Sequence, residues 1–493
     1  MIIGKLIQSL TVLVIYPHDH PDIAFNECLT QNYLGTYGTQ SVFVPPESCA
    51  NSFAPTADVP VINVHSDAQL VWVERAALEQ HLTDYPFSSQ SLELYLGPIS
   101  SAYSSSYSFN ENSQKHLSDP VGKHILHHTS TSALLALSPA RIKELSFTLP
   151  PTWRVYVLPS APFPFLPVPE PAIARVRDIL SSLKFDPEVA RIISDISLPQ
   201  IRNDIRFLTG EDGKSGIESR HSFSSDAKVA AEWLKVRFEE TGARCELRAF
   251  LTGFAPNVVC RYPSTENTTE TVLISAHYDS RGSFGSTRAP GGNDDGSGTT
   301  GLLAIARTIK RQGVTFRSNV ELVAFAGEEQ GLLVPDTMRC VGTAQRDKNL
   351  TLMVQADMIA YHEPGEPPQL GLPAIIGTAE VTQLVANISA IYSPELVVGF
   401  TPACCSDHQA SPTPPIFHSQ TNQMLIYHSH DQSFHHQGFP ATQVFERAGP
   451  IADPMYHNSG DISERTGYDF EQLKSIAKVQ FATLLHVAGF DLS

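Results

Sequence analysis

The chain has 493 residues, too many for one ordinary core, so two domains or one elaborated domain is the starting expectation. Hydrophobic residues make up 42% and charged residues 17%, a globular balance rather than a disordered one. A formal net charge of −17 provides no cationic surface to displace counterions from nucleic acid, and it disfavours anionic membrane surfaces for the same reason.

No apolar run reaches the roughly 18–20 residues that a membrane-spanning helix requires. Met1 to Tyr16 has one Lys and the short apolar stretch Thr11-Val12-Leu13-Val14-Ile15, which resembles a weak signal segment. Short β-like runs follow at Val61–Val64 and Trp153–Leu158, separated by loops and by a Ser- and Tyr-rich stretch at Ser100–Phe109. Residues 1–165 carry no recognisable chemistry and read as an N-terminal extension of unassigned fold, joined by the Pro-rich linker Pro159–Pro171. The seven cysteines lack CxxC spacing, which argues against a cysteine-based metal site. Cys28 with Cys49, and Cys245 with Cys260, are candidates to pair in an oxidising compartment. Acceptor sequons at Asn267, Asn349 and Asn387 add to the expectation of a secreted glycoprotein.

From residue 166 the pattern changes. Apolar residues recur at helical spacing over Ala172–Leu183 and Ser225–Thr241. Strand-like runs then alternate with helices: Val272–Ala276, the helix Ser297–Gln312, Val320–Ala326, Leu350–Ala356, the helix Ala379–Ile391, Ala441–Phe445 and the helix Phe470–Ala488. This alternation predicts an α/β three-layer sandwich with a mixed, largely parallel sheet over 166–493.

Three of these strands run into metal-ligand residues: His277-Tyr278-Asp279, Glu328-Glu329 and Asp357. In open α/β sheets, sites form beyond the carboxyl ends of strands, so the three form one constellation at a common edge. Between the first two lies Gly291-Gly292-Asn293-Asp294-Asp295-Gly296-Ser297-Gly298, whose glycines allow sharp backbone turns beside a ligand, and much later His457 sits in a polar loop. Imidazole and carboxylate together suit zinc, and a carboxylate that bridges lets such a set hold two ions. Of the adjacent pair Glu328-Glu329, one can coordinate while the other takes a proton. A Gly-x-Ser-x-Gly elbow and a His-Glu-x-x-His zinc motif are both absent.

His277-Tyr278-Asp279-Ser280, the Gly291–Gly298 loop, Gly327-Glu328-Glu329-Gln330-Gly331, Gln355-Ala356-Asp357-Met358 and Tyr456-His457-Asn458 resemble, in order, the five motifs of the co-catalytic two-zinc aminopeptidases. The resemblance covers roughly residues 195–493, with the core motifs within 271–461. It implies a zinc-dependent exopeptidase that holds two Zn2+ per chain and acts on peptide or protein N-termini. Asp294 would bridge the ions, with His277 and Asp357 at one and Glu329 and His457 at the other. Glu328 would be the general base, Asp279 would orient His277, and Tyr456 would stabilise the oxyanion. By family position Met358, Gln443 and Phe445 would line the first specificity pocket, and the peptide after Asp294 is often cis.

The chain departs from the family pattern at three places. Val334–Cys340, with Pro335, replaces a helical stretch, and Cys404-Cys405 are adjacent where the family pairs two spaced cysteines. Residues 410–432 interrupt a segment that otherwise runs from Ser406-Asp407-His408-Gln409 to Ser433-Phe434, and they read as an exposed loop insertion that supplies no ligand. Two other functions remain compatible with the scaffold: a one-metal acyltransferase resembling glutaminyl cyclases, and a catalytically impaired binding protein. Retention of every ligand for two ions favours hydrolysis.

Overall fold

The structure is a computed structural model. It describes residues 10–18, 26–49, 60–65, 69–82, 88–96, 125–137, 152–159, 161–250, 253–283, 285–329, 349–374, 376–403 and 438–492, with a few single residues between them. The expectations for 334–348, 404–405 and 410–432 lie outside these residues. The chain divides into two compact units, one drawn mainly from residues before Phe165 and one from Phe165 onward, and Ala77–Leu82 belongs to the second.

The first unit carries two four-stranded antiparallel sheets. Strands β1 (Leu10–Pro17), β2 (Tyr33–Tyr37), β3 (Gln40–Phe43) and β4 (Val61–His65) run in the order β2-β3-β1-β4. The apolar stretch Thr11–Ile15, which resembles a weak signal segment, is here the middle of β1, with Leu13, Val14 and Ile15 fully buried. A short apolar run cannot distinguish the two, because both require continuous hydrophobicity. Strands β5 (Gln69–Arg75), β6 (Ile125–His128), β7 (Ser132–Leu137) and β8 (Trp153–Val157) form the other sheet in the order β6-β7-β5-β8. Within this unit Glu74 is buried, and its carboxylate accepts from Trp72 Nε1 and Tyr156 Oη, each at 3.2 Å. A disulfide joins Cys28 to Cys49, with Cα atoms 6.0 Å apart.

The second unit is built on a six-stranded sheet. Its strands are β9 (Arg244–Arg248), β10 (Asn257–Tyr262), β11 (Glu270–His277), β13 (Asn319–Phe325), β14 (Asn349–Ala356) and β17 (Ala441–Val444), in the order β17-β14-β11-β13-β10-β9. The pairs β17-β14, β14-β11 and β11-β13 are parallel, while β10 pairs antiparallel with both β13 and β9. Cys245 and Cys260 are direct cross-strand partners on β9 and β10 and form the second disulfide. Four short strands complete the unit's pairing: β12 (Val314–Phe316) with β18 (Phe490–Leu492), and β15 (Gln369–Pro373) with β16 (Val397–Thr401).

β11, β13 and β14 are buried on both faces, as parallel strands covered on each side must be. Ile274, Leu322 and Val354 face a core shared with seven helices. These are α1 (Glu170–Ser182), α2 (Pro187–Ser194), α3 (Leu198–Leu208), α4 (Ser225–Glu239), α5 (Gly296–Gln312), α6 (Ala379–Tyr392) and α7 (Phe470–Ala488). On the opposite face Leu273, Val323 and Met353 are buried as well. The fold is therefore the mixed, largely parallel α/β sheet that the alternating pattern predicts. Two helices, α2 and α3, are absent from the sequence reading although each begins with Pro in its first turn after an Asp186 or Ser197 cap position. Among the described residues, no helix is long and apolar enough to cross a membrane.

Ile274 sits at the middle of the central strand, registered against Leu322 and Val354. Ile274→Ala is expected to lower unfolding free energy by about 2–5 kcal/mol in chemical denaturation, because the packed sheet cannot collapse into the void.

Candidate metal centre

Parallel pairing of β11, β13 and β14 places their carboxyl ends along one edge, with His277 opposite Phe325 and Ser275 opposite Gln355. His277 ends β11, Glu328 and Glu329 follow β13 by a short turn at Ala326-Gly327, and Asp357 follows β14 directly. The loop before α5 delivers Asp294, and the loop between β17 and α7 delivers His457.

Six side chains converge there in two groups, His277 with Glu328 and Asp357, and Asp294 with Glu329 and His457. The two groups are joined through Asp294. Its Oδ1 lies 3.4 Å from His277 Nε2, and its Oδ2 lies 3.4 Å from His457 Nε2. His277 Nε2 also lies 3.6 Å from Asp357 Oδ1 and 4.0 Å from Glu328 Oε2, while His457 Nε2 lies 3.1 Å from Glu329 Oε2.

These separations test whether ions fit. Tetrahedral zinc with N and O ligands at roughly 2.0–2.2 Å holds those ligands about 3.3–3.5 Å from one another. The His277–Asp294 and His457–Asp294 separations match that spacing. His277 Nε2 is buried and makes no hydrogen bond, an arrangement that costs free energy unless a cation occupies the gap. The donor set of two imidazoles and four carboxylates has the mixed N/O character that suits zinc.

Crowded like charges dominate the electrostatics. Burial alone would depress the His277 imidazole, but Glu328, Asp279, Asp294 and Asp357 together hold it well above its usual range. Burial raises the Asp294 carboxyl to about 6, with Glu329 and Asp357 adding repulsion.

Supporting residues fix the arrangement. His277 Nδ1 lies 3.2 Å from the Asp279 carbonyl and 3.4 Å from Asp279 Oδ1, while Asp279 Oδ2 accepts from Ser222 Oγ at 3.1 Å and Glu329 N at 3.2 Å. Ser222 Oγ also accepts from Gly327 N, so a single polar chain ties the end of β11 to the Glu328-Glu329 turn. Asp295 caps α5 through Gly298 N and accepts from His277 N and Met358 N, which links three of the ligand-bearing segments. The Asp294–Asp295 peptide is cis, as the resemblance implies. Asp461 accepts from the amides of Asn293 and Asp294 and pairs with Arg465 at 3.0 Å. Asn293 donates to Asp453 at 2.8 Å. The fully buried Arg220 donates to the carbonyls of Leu208, Tyr278, Pro290 and Gly291, which pins the loop from behind. Met358 and His457 both have φ near +50°, a conformation that non-glycine residues hold only when their surroundings enforce it.

The sequence reading did not identify Asp295, Asp461, Ser222 and Arg220. Asp295 had a legible signal, an Asp immediately before a Gly-Ser-Gly helix start. The other three act through partners distant in sequence and leave no local pattern.

Of the residues expected to line a specificity pocket, Met358 and Phe445 lie in an apolar cluster with Ala403 and Ile451, edged by Leu78 and Tyr456. Gln443 is buried two residues before Phe445, registered against Gln355, with its Oε1 making no hydrogen bond. Tyr456 stacks on His457 with ring centroids 3.8 Å apart.

Asp461 holds the two amides that present the Asp294 carboxylate. Asp461→Ala is expected to lower zinc affinity by about 10–100-fold in competition with a chelator, while the helical circular dichroism signal is retained.

Comparison with known proteins agrees with this geometry. Residues 257–483 match the model of "Peptidase family M28". The uncharacterized protein YfbL of Escherichia coli is 27% identical over 302 residues, covering 55% of this chain and 82% of that one. A probable leucine aminopeptidase of Arthroderma otae is 25% identical over 304 residues, covering 58% of this chain and 72% of its own. The fold is similar to that of the LapA aminopeptidase of Legionella pneumophila, with a TM-score of 0.54 at 15% identity, covering 86% of this chain and 99% of that one. The five motifs and the edge that carries the candidate ligands fall within residues 257–483, the stretch that is similar to peptidase family M28.

Proposed function

We propose that the chain is a metallo-aminopeptidase that removes residues from the N-termini of peptides or proteins, using two zinc ions and Glu328 as general base. The observation that carries this reading is the division of the Asp294 carboxylate between two imidazoles, one oxygen facing His277 and the other His457. A bridging carboxylate is the feature that distinguishes a paired-ion site from a single one. The acyltransferase alternative requires only one ion and leaves the second donor group without a purpose.

When bound, the two ions supply Lewis acidity to the scissile carbonyl and acidify a water. The chain's own residues do the rest. Glu328 Oε2 stands at 4.0 Å from His277 Nε2, farther than the oxygens of Asp294 and Asp357, and this supports its role as the carboxylate that would take a proton from the attacking water. The same carboxyl then returns that proton to the leaving amine. Glu329, Asp294, Asp357, His277 and His457 would hold the ions, and Asp279 would orient His277. Tyr456, packed on His457, would stabilise the negative charge that develops on the substrate carbonyl. An excess of carboxylates over imidazoles suits the free α-ammonium of a peptide N-terminus.

The peptidase domain spans 166–493 in this reading, and residues 1–165 form an extension to it. The disulfides Cys28–Cys49 and Cys245–Cys260 support action in an oxidising, extracytoplasmic compartment. Asn267, in an exposed loop, is the sequon best placed for glycosylation.

Elemental analysis of the purified chain is expected to give two zinc ions per chain. Glu328→Gln should retain both and lower turnover by about two to four orders of magnitude, whereas Glu329→Gln should lose one. Equal metal loss in the two variants would reverse the division of roles. Peptides with acetylated N-termini are expected to resist cleavage, and equal rates on blocked and free peptides would favour an endopeptidase or amidase instead.

A further inference from the structure

The segment Ala77–Leu82 belongs to the second unit, although the chain on either side of it belongs to the first. Its attachment is specific. Glu79 N donates to the Ile451 carbonyl at 2.9 Å, and Ile451 N donates to the Ala77 carbonyl at 2.8 Å, forming an isolated parallel bridge around Leu78. An ion pair adds to it: Arg447 Nη1 meets Glu79 Oε1 at 2.7 Å, and the same guanidinium is held by Glu366 through Nη2 and Nε at 2.6 and 2.8 Å. Arg447 is itself largely buried, so the anchor is stronger than a solvent-exposed surface pair.

This attachment directs Leu78 to the apolar cluster beside the metal centre. Met358 follows the candidate ligand Asp357 by one residue, and Tyr456 precedes the candidate ligand His457 by one, so the cluster includes a sequence neighbour of each donor group. Met358, Ala403, Phe445 and Ile451 are buried, whereas Leu78 and Tyr456 keep partial exposure. The mouth of the cluster is therefore formed by one residue next to a ligand and one residue from a segment outside the matched region 257–483.

We propose that Leu78 is a specificity-determining residue, brought in by the strap Ala77–Leu82, that closes the pocket for the substrate's N-terminal side chain and limits its size. Among the described residues the cluster is built from hydrophobic side chains, which suits an aliphatic side chain of medium size, and the strap would set the depth open to it. This inference rests on the aminopeptidase reading above. It also assigns the strap, a part of the second unit that precedes the matched region in sequence, a role at the site.

The test uses the full chain and alanyl, leucyl and phenylalanyl chromogenic amides. Leu78→Ala should raise the phenylalanyl-to-leucyl ratio of kcat/KM by roughly ten-fold or more, the scale on which a change of a few methylenes alters an apolar pocket. Leu78→Trp should lower that ratio by a similar factor and reduce alanyl hydrolysis less than phenylalanyl hydrolysis, while zinc content stays at the wild-type level. Opposite shifts from the two variants cannot come from a general loss of stability. A direct binding measurement accompanies the kinetics, with free leucine expected to bind Leu78→Ala more weakly than wild type in calorimetry. Ratios that stay within about two-fold of wild type in both variants would overturn the assignment of Leu78. Wild-type protein inactive on all three amides would instead overturn the aminopeptidase reading, and this inference with it.

Discussion

The structure depends on mutual repulsion among buried carboxylates. Asp294, Glu328, Glu329 and Asp357 lie within a few ångströms of one another at the end of a dehydrated sheet, with Asp279 and Asp295 directly behind them. At the low effective dielectric of such a site, like charges at these distances cannot all be ionised unless positive charge lies between them. His277 and His457 supply part of it, and the unsatisfied Nε2 of His277 shows where the remainder belongs. The six-stranded sheet provides the rigidity, because its parallel strands end at one level and project ligands that cannot move apart.

Around this centre the chain uses fixed dipoles where it cannot use charge. Asp295 and Asp461 are themselves acidic, yet each is satisfied by main-chain amides and so becomes a clamp on the loop. Burial raises the Asp461 carboxyl to about 7, with Asp453 adding repulsion and Arg465 opposing it. The neutralising guanidinium is thus shared by two carboxylates on the far side of the Asn293–Asp294 backbone. Arg220 performs the complementary task, satisfying the carbonyls of Pro290 and Gly291 in the Gly-rich turn together with those of Leu208 and Tyr278.

Much of the centre was legible because its ligands follow strands whose own sequences are unambiguous. Val272–Ala276 and Leu350–Ala356 are apolar runs buried on both faces, and in such a sheet the next residue reaches the functional edge. His457 was different. It sits in an irregular loop, and only its order among the motifs identified it. The clamps remained hidden because Asp461 meets Asn293, and Arg220 meets Gly291, across long sequence separations that no window of residues reports. Leu78 was hidden for a similar reason: one half-buried leucine in a loop has no period. The short strand β1 was not read as a strand because a brief apolar stretch serves a leader and a sheet interior equally well.

The placement of the two histidines also governs how the protein is made. His277 ends the central strand, whereas His457 emerges from the ribosome only after β14 and β17 have been synthesised. Because parallel strands pair through long crossovers, the donor set closes only when nearly the whole second unit has been translated. Until then the nascent chain lacks part of one of the two groups of candidate donors. A metal site that needs both groups would therefore be completed only late in synthesis, once the strands that precede His457 are in place.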